Sequence, residues 1–322
     1  MTIHKVIYDT DPGIDDAMAL LFLHYSPLVD LVGVTTVMGN ARIEVTTRNA
    51  LYLKERFKIP APVAQGASLP LDGTDEEPPA HIHGHNGLGD VALPEVIAAK
   101  PDARPAYQFI IDMVRAHPHE ICIVAVGRMT NLALALRAAP DIAGLVKQVV
   151  IMGGAFGFHG HFGNVSPAGE ANIHGDALAA DEVFGASWPL TAVGLDVTLE
   201  TLMLDPYLRE LRAKAGEVGE FIWEITRLYE RFYQSFGMPG ISVHDSSAVA
   251  FLIAPELFKV RRGPIRVVQG GIAHGATIQK DDRKTHRPGP WDERPSHDVC
   301  VDVQREAFLQ LYFDTIVRGA NS

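Results

Sequence analysis

Four carboxylates, Asp9, Asp11, Asp15 and Asp16, fall within eight residues of the stretch VIYDTDPGIDDA, directly behind an apolar run. Two carboxylates about 4 Å apart repel by roughly 4 kcal/mol at an effective dielectric near 20, so such a cluster is either splayed into water or neutralised. Pro12 and Gly13 force a tight turn, after which Asp15 and Asp16 stand at the start of a helix, where the macrodipole favours negative charge. Helix capping uses one or two acids and leaves the rest unexplained. A bound cation accounts for all four, and all-oxygen donors select a hard ion, Ca²⁺ or Mg²⁺, over Zn²⁺. The spacing excludes an EF-hand: counted from Asp9, Ile14 and Leu20 occupy the places where Gly and a bidentate Glu are required.

Three further stretches carry polar chemistry. NVSPAGEAN, Asn164 to Asn172, sets two carboxamides, a carboxylate and a serine in one loop, a donor and acceptor mix suited to the vicinal hydroxyls of a sugar. An ordinary Asn-rich loop before a helix capped by Asp176 fits the same residues. In GISVHDSSAVAFLIAP, Asp245 is either the N-cap of an apolar helix or part of a cation's shell, and His244 is a group able to protonate a leaving group near neutral pH. No GxSxG elbow surrounds Ser242, so serine-hydrolase chemistry lacks its signature. His81, His83 and His85 alternate without a matching Cys or further His at zinc spacing, which leaves His83 as a pocket residue at most; His159 and His161 read as solvated loop residues. Tyr229 and Tyr233, four apart on one helix face, either pack a core or offer an edge to a nucleobase.

These residues need elements to hold them. Val- and Ile-rich runs at VIYD, residues 31–37, 121–126, 149–152 and 190–195 alternate with helical periods over 15–25, 42–57, 106–117, 131–138, 176–184, 218–236, 246–253 and 305–317. That order predicts an α/β fold, an open, mostly parallel, Rossmann-like sheet with helices on both faces. In such sheets the ligand crevice lies beyond the carboxyl ends of the strands, where Asp9–Asp16, Gly39-Asn40, Gly127–Asn131, Gly153-Gly154 and Asp196 all fall. Two stretches break the rhythm, 65–93 and the charged, Pro-rich 279–297; both are expected as loops near the ligand mouth or the rim. With no repeat and no linker, one domain spanning 1–322 is expected.

Lys and Arg number 28 against 39 Asp and Glu, a net charge of −11, which disfavours nucleic acid as partner and admits a neutral or cationic small molecule. Cys122 and Cys300, both in apolar runs, make no disulfide framework and point to a reducing compartment. The amino terminus passes into a strand pattern without a leader-like segment, and no run of about 18 apolar residues occurs; a cytoplasmic protein without a membrane partner is expected.

In chain order, DTDPGIDDA, TTVMGN, HGHNGLG, GRMTNLA, VVIMGGAFG, NVSPAGEAN and VHDSSAVAFLIAP resemble the nucleoside hydrolases, the inosine-uridine-preferring nucleoside N-ribohydrolases, through most of the chain. DxDPGxDDA after the first strand is the specific element; each other segment alone is weak. The resemblance implies a calcium enzyme that cleaves the N-glycosidic bond of ribonucleosides to ribose and free base. It implies that Asp11, Asp16, the backbone carbonyl of Thr130 and Asp245 hold Ca²⁺, and that Asp15, Asn164, Glu170 and Asn172 grip the ribose hydroxyls. Asn40 would orient a water, Asp11 would be the general base, and His244 would protonate the leaving base with His83 in support. Met152, Tyr229 and Tyr233 are counted among the substrate contacts. Retention of His244 places the chain with members that accept inosine, uridine or cytidine, and a homodimer or homotetramer is the usual assembly.

The sequence departs from the family pattern at Gly169 and Ala171, small residues beside Glu170 that imply looser ribose packing, at Ser246, and in the length of 279–297. Two rival readings stand beside the resemblance. A haloacid-dehalogenase-like, Mg²⁺-dependent phosphatase also opens with a strand and DxD, but here Pro-Gly follows Asp11 and no later Lys with an Asp pair is found. A non-catalytic ribose- or calcium-binding relative conflicts with the complete set of acid, base and water-positioning residues.

Overall fold

Successive residues of the central strands point to opposite faces, and here both faces are apolar. Val6 and Tyr8, Cys122 and Val124, Val150 and Met152 enter one core. Ile7, Ile121, Ile123, Val149 and Ile151 enter another. Double burial explains the near-continuous apolar runs, since no strand face needs to meet water. The computed structural model describes residues 3–321. Its strands are β1 (His4–Thr10), β2 (Val29–Thr36), β3 (Val63–Gln65), β4 (Ile121–Ala125), β5 (Gln148–Met152), β6 (Leu190–Val193), β7 (Leu202–Leu204), β8 (Gly240–Ser242), β9 (Phe258–Val267), β10 (Thr277–Gln279) and β11 (Ser296–Val303).

Nine of them form one sheet in the order β10-β9-β11-β6-β5-β4-β1-β2-β3, while β7 and β8 pair separately. Pairing is parallel from β3 across to β11 and antiparallel at β9 and β10. The α/β fold read from the sequence is the fold observed. Helices Ile14–Tyr25, Gly216–Ser235, His244–Ile253 and Arg305–Ala320 cover the first core, and Ala106–Ala116, Thr130–Ala138 and Ala177–Val183 cover the second. From β1 the chain moves one way to β2 and later returns on the other side as β4, so the segments after β1 and β4 flank a switch in strand order, the place where such sheets open a crevice.

The five strands expected from apolar runs are present. The long strand β9 was not expected, because FKVRRGPIRV alternates charged and apolar residues at the sheet's antiparallel side and carries a proline. The two irregular stretches part company. Within 65–93 a short helix, Ala80–His83, brings Ile82 and His83 to the ligand cavity. The stretch 279–297 lines no part of that cavity; it leaves β10, binds Asp181 through Arg294 (2.5 Å) and returns as β11. Its charges hold the sheet edge.

Gly33 shows how tightly β2 is fitted. Val6 pairs with Leu31 but Ile7 with Gly33, so Val32 is an extra residue in the ladder, and glycine beside a bulge marks a close approach. A Cβ on Gly33 would stand 2.3 Å from Cε1 of the buried Phe109 ring. Gly33→Ala is therefore expected to destabilise the fold by about 1–3 kcal/mol, read as a lower urea midpoint; an unchanged midpoint would contradict this packing.

Candidate active site

The turn after β1 reverses so sharply that Asp11, Asp15 and Asp16 converge on the helix His244–Ile253, which supplies Asp245. Carboxylate oxygens of Asp15, Asp16 and Asp245 lie within 4.8 Å of one another. Asp16 is fully bonded: it accepts from the Thr10 hydroxyl (2.6 Å), the Asp11 and Gly13 amides (3.1 and 3.0 Å) and the Asn40 side-chain amide (2.8 Å). Asp11 is held at one oxygen by the Asn40 amide (2.7 Å), while Oδ1 is buried with no partner. Gly39 makes this possible, because a Cβ there would fall 2.0 Å from Asp11 Oδ2. Asp15 accepts from the Tyr229 hydroxyl (3.3 Å) and its Oδ1 is also buried and orphaned. Among the described residues, no hydrogen bond reaches the Asp245 carboxylate, although Asp245 is buried. It sits in the first turn of its helix without capping it.

The electrostatics follow from that geometry. Burial, then the charge of Asp16, pushes the Asp15 carboxyl up to about 7. Asp11 is raised well above the carboxylate range by burial and Asp16, and Asp245 by burial and the charges of Asp15, Asp16, Asp11 and Glu170. No Lys or Arg lines the cavity, and the Arg128 guanidinium offsets the rise only in part, at Asp11. Three carboxylates within 4.8 Å of one another, beside the orphan oxygens of Asp11 and Asp15, fit a hard cation, whose charge would restore ionisation.

Two expected members of the cluster are elsewhere. Asp9 points away from it: Oδ1 accepts from the Thr35 hydroxyl (2.5 Å) and the Asn131 amide (2.8 Å), which ties β1 to β2 and to the helix behind them. Strand alternation sends Asp9 to the face of Ile7. Thr130 is also a correction. It is the first residue of the helix Thr130–Ala138, which commits its carbonyl to the helical turn, and its hydroxyl donates to Asp176 (2.7 Å). The turn at Gly127–Met129 carries the chain away before Thr130 is reached. The cavity-lining residue just after β4 is Val126, whose carbonyl accepts from the Asn172 side chain (2.7 Å). Sequence reasoning missed it because an oxygen of the backbone leaves no mark on residue type.

Above the acids lies a cavity of 380 Å³, lined by Asp15, Asn40, His83, Val126, Met152, Asn164, Glu170, Asn172, Tyr229, Tyr233, His244 and Asp245 among others, within the range of small-ligand pockets, roughly 300–1,000 Å³. Its polar wall is pre-bonded. Glu170 caps the short helix Ala171–Gly175, accepting from the amides of Asn172 and Ile173 and from Gly154. Asn164 Oδ1 accepts from the Ala171 amide (3.0 Å), and the Asn172 amide donates to the Val126 and Met152 carbonyls. The expected slack beside Glu170 is absent on the Gly169 side, where a side chain would meet His174 Cδ2 at 2.8 Å and the His274 carbonyl at 2.9 Å. His83, kept neutral by burial with its pKa near about 3, accepts the Ile14 amide at Nδ1 (3.2 Å) and packs 5.6 Å from the Tyr229 ring.

The other wall is apolar. Tyr229, Phe232, Tyr233 and Phe236 recur at three- and four-residue intervals on the helix Gly216–Ser235 and its end, joined by Ile82, Leu199 and Met238. The two phenylalanines were legible from the same period that singled out the tyrosines. Tyr233 stands 2.6 Å from Nε2 of His244, whose Nδ1 lies 2.7 Å from the Thr198 hydroxyl; Tyr233 in turn is 3.3 Å from the Tyr229 hydroxyl. Burial lowers the His244 pKa to about 4. Of the other histidines in the two His-bearing stretches, His81 packs 5.9 Å from the Phe232 ring, while His85 faces Asp90, His161 faces Glu200 and His159 bonds the Val301 carbonyl.

Residues 6–310 match the sequence model of the family described as inosine-uridine preferring nucleoside hydrolase. The chain is 40% identical to uridine nucleosidase 1 of Arabidopsis thaliana over 309 residues, covering 95% of this chain and 91% of that one. It is 37% identical to the inosine-uridine preferring nucleoside hydrolase of Crithidia fasciculata, covering 98% of each. Among solved structures it resembles a plant nucleoside hydrolase with a TM-score of 0.93 at 35% identity, covering 98% of this chain and 99% of that one.

The geometry separates Asp245 from Asp9 as ion holders. Ligand that binds only the folded state raises stability by mass action, so calcium added to chelator-stripped protein should raise Tm. Asp245→Asn should remove most of that rise and Asp9→Asn should keep it. A rise lost equally in both variants would return Asp9 to the cluster.

Proposed function

The chain belongs to the inosine-uridine preferring nucleoside hydrolase family and hydrolyses the N-glycosidic bond of ribonucleosides; from that premise we propose that it does so with calcium and accepts uridine, inosine and cytidine. The observation that carries the calcium reading is the convergence of Asp15, Asp16 and Asp245 within 4.8 Å, beside the orphan oxygens of Asp11 and Asp15. Asp11, Asp16, Asp245 and the Val126 carbonyl would hold the ion. When bound, a cation of this kind lowers the pKa of its water and binds sugar hydroxyls.

The chain's own residues do the rest. Asp11 is the general base, held by the Asn40 amide, while the Asn40 side chain braces Asp16. Asp15, Asn164, Glu170 and Asn172 receive the ribose hydroxyls; because the last three are fixed by backbone bonds and Asp15 by the Tyr229 hydroxyl, little ordering remains to be done on binding. Glycosidic cleavage passes through an oxocarbenium-like sugar. Carboxylates that face a neutral ribose in the ground state then face a cationic one, so they stabilise the transition state selectively. At the base end, Tyr233 covers the Nε2 of His244, so His244 acts on the leaving base through the Tyr233 hydroxyl: Tyr233 gives its proton to the base nitrogen, and His244 steadies the oxygen left behind.

The apolar wall offers stacking surface and few fixed donors, which supports breadth in the base. The Arabidopsis relative is named for uridine and the Crithidia relative for inosine and uridine. The phosphatase reading gives way to the family match over residues 6–310, and the cavity offers no Lys or Arg to hold a phosphate beside the ion. A cytoplasmic setting and a dimeric or tetrameric assembly belong to the proposal; no helix among the described residues is long and apolar enough to cross a membrane.

Uridine, inosine and cytidine should release free base with calcium present, whereas uridine 5′-monophosphate should not, because no Lys or Arg lines the cavity to take its phosphate. Release from the monophosphate at a comparable rate would defeat the charge argument. Asp11→Ala should lower kcat by roughly 10²–10⁴-fold with an unchanged circular dichroism spectrum; retention of even a tenth of the activity would remove Asp11 from the base role.

A further inference from the structure

We infer that Thr198 is a positioning residue for the leaving-group end of the reaction: its hydroxyl holds His244 in the tautomer that carries the proton on Nε2, facing Tyr233 and the cavity. The inference rests on the proposed part of Tyr233 and His244 at the base end.

Thr198 closes the short helix Leu195–Thr198 that follows β6 and is fully buried. Its Oγ1 is 2.7 Å from His244 Nδ1, and the Tyr233 oxygen is 2.6 Å from Nε2, so the ring is held at both nitrogens. Distances alone do not say which way the protons run, but two independent constraints do. At the far end, the Tyr229 hydroxyl donates to Asp15 Oδ2, whether or not the orphaned Oδ1 carries a proton. Tyr229 must then accept from Tyr233, Tyr233 must accept from Nε2–H, and a neutral imidazole protonated on Nε2 has a bare Nδ1. That leaves Thr198 as the donor. At the near end, among the described residues the Thr198 hydroxyl has no other hydrogen-bond partner. Were it to accept from Nδ1–H, its own proton would be buried unused, at the cost of an unsatisfied polar group.

Both constraints give one direction, from Thr198 through His244, Tyr233 and Tyr229 to Asp15. The direction matters for the chemistry. As Tyr233 passes its proton to the leaving base, its oxygen becomes anionic, and the Nε2–H of His244 stabilises it. The other tautomer would turn a lone pair toward that charge. It also links the two ends of the site, because the acid that receives the ribose hydroxyl sets the proton order at the base.

The test uses the full chain. With ¹⁵N-labelled histidine, the His244 resonances, assigned by their absence in His244→Gln, should show Nε2 protonated and Nδ1 bare. Thr198→Val should lower kcat on uridine by about 10- to 100-fold, yet change p-nitrophenyl riboside, whose leaving group needs no proton, by less than about 2-fold. Thr198→Ser, which keeps the donor, should restore uridine turnover. A proton on Nδ1 in the unmodified protein, an equal loss on both substrates, or undiminished uridine turnover in Thr198→Val would each overturn the inference. Failure of the unmodified protein to cleave uridine would instead overturn the functional reading, since the tautomer is read without turnover.

Discussion

Uncompensated negative charge in a closed place is the constraint on which the rest of this molecule depends. Asp11, Asp15, Asp16 and Asp245 are buried where β1 meets the helix His244–Ile253, and only Asp16 has donors enough to offset its burial. Stranding charge in this way costs stability. The fold tolerates it by committing local structure to the cluster: a Pro-Gly turn to bring Asp15 and Asp16 back over Asp11, a glycine at 39 to let Asp11 lie flat, and Asn40 to bridge two of the acids. What such an arrangement cannot do is remain charged and empty of counterions. A metal ion and a cationic transition state are the two partners that the same oxygens can serve.

The cavity above divides into unlike halves. The side proposed for ribose is polar and pre-bonded, with Glu170 and Asn172 fastened to amides and carbonyls at the ends of β4 and β5. The base side is aromatic and apolar, built on one face of the helix Gly216–Ser235. A sugar with fixed hydroxyls meets fixed partners; a base that varies in shape meets surfaces that discriminate by contact area rather than by hydrogen-bond pattern. A continuous file of hydroxyl and ring groups from Asp15 to Thr198 connects the halves.

Much of this was legible in the residues, for reasons that also explain what was not. The sheet and its helices could be read because both strand faces are apolar and the helical period is strong in segments such as residues 218–236. The acid turn could be read because four carboxylates in eight residues have few structural excuses. Asp9 was misassigned to the cluster because strand alternation, not composition, decides which acid faces the cavity, and the alternation switches meaning at the last strand residue. Val126 was invisible because its contribution is a carbonyl, and Thr130 was taken for it although a turn of three residues separates them. Thr198 lies far from His244 in sequence; only the packing of the turn after β6 against the helix His244–Ile253 brings them together.

The central claim is that the acid nest exists to hold a divalent cation, and it is tested most directly by titrating calcium into chelator-stripped protein in a calorimeter, in two buffers of different ionisation enthalpy. One ion should bind per chain, with protons released as Asp11, Asp15 and Asp245 ionise, so that the measured heat differs between the buffers. No saturable binding at millimolar calcium would contradict the account at its root.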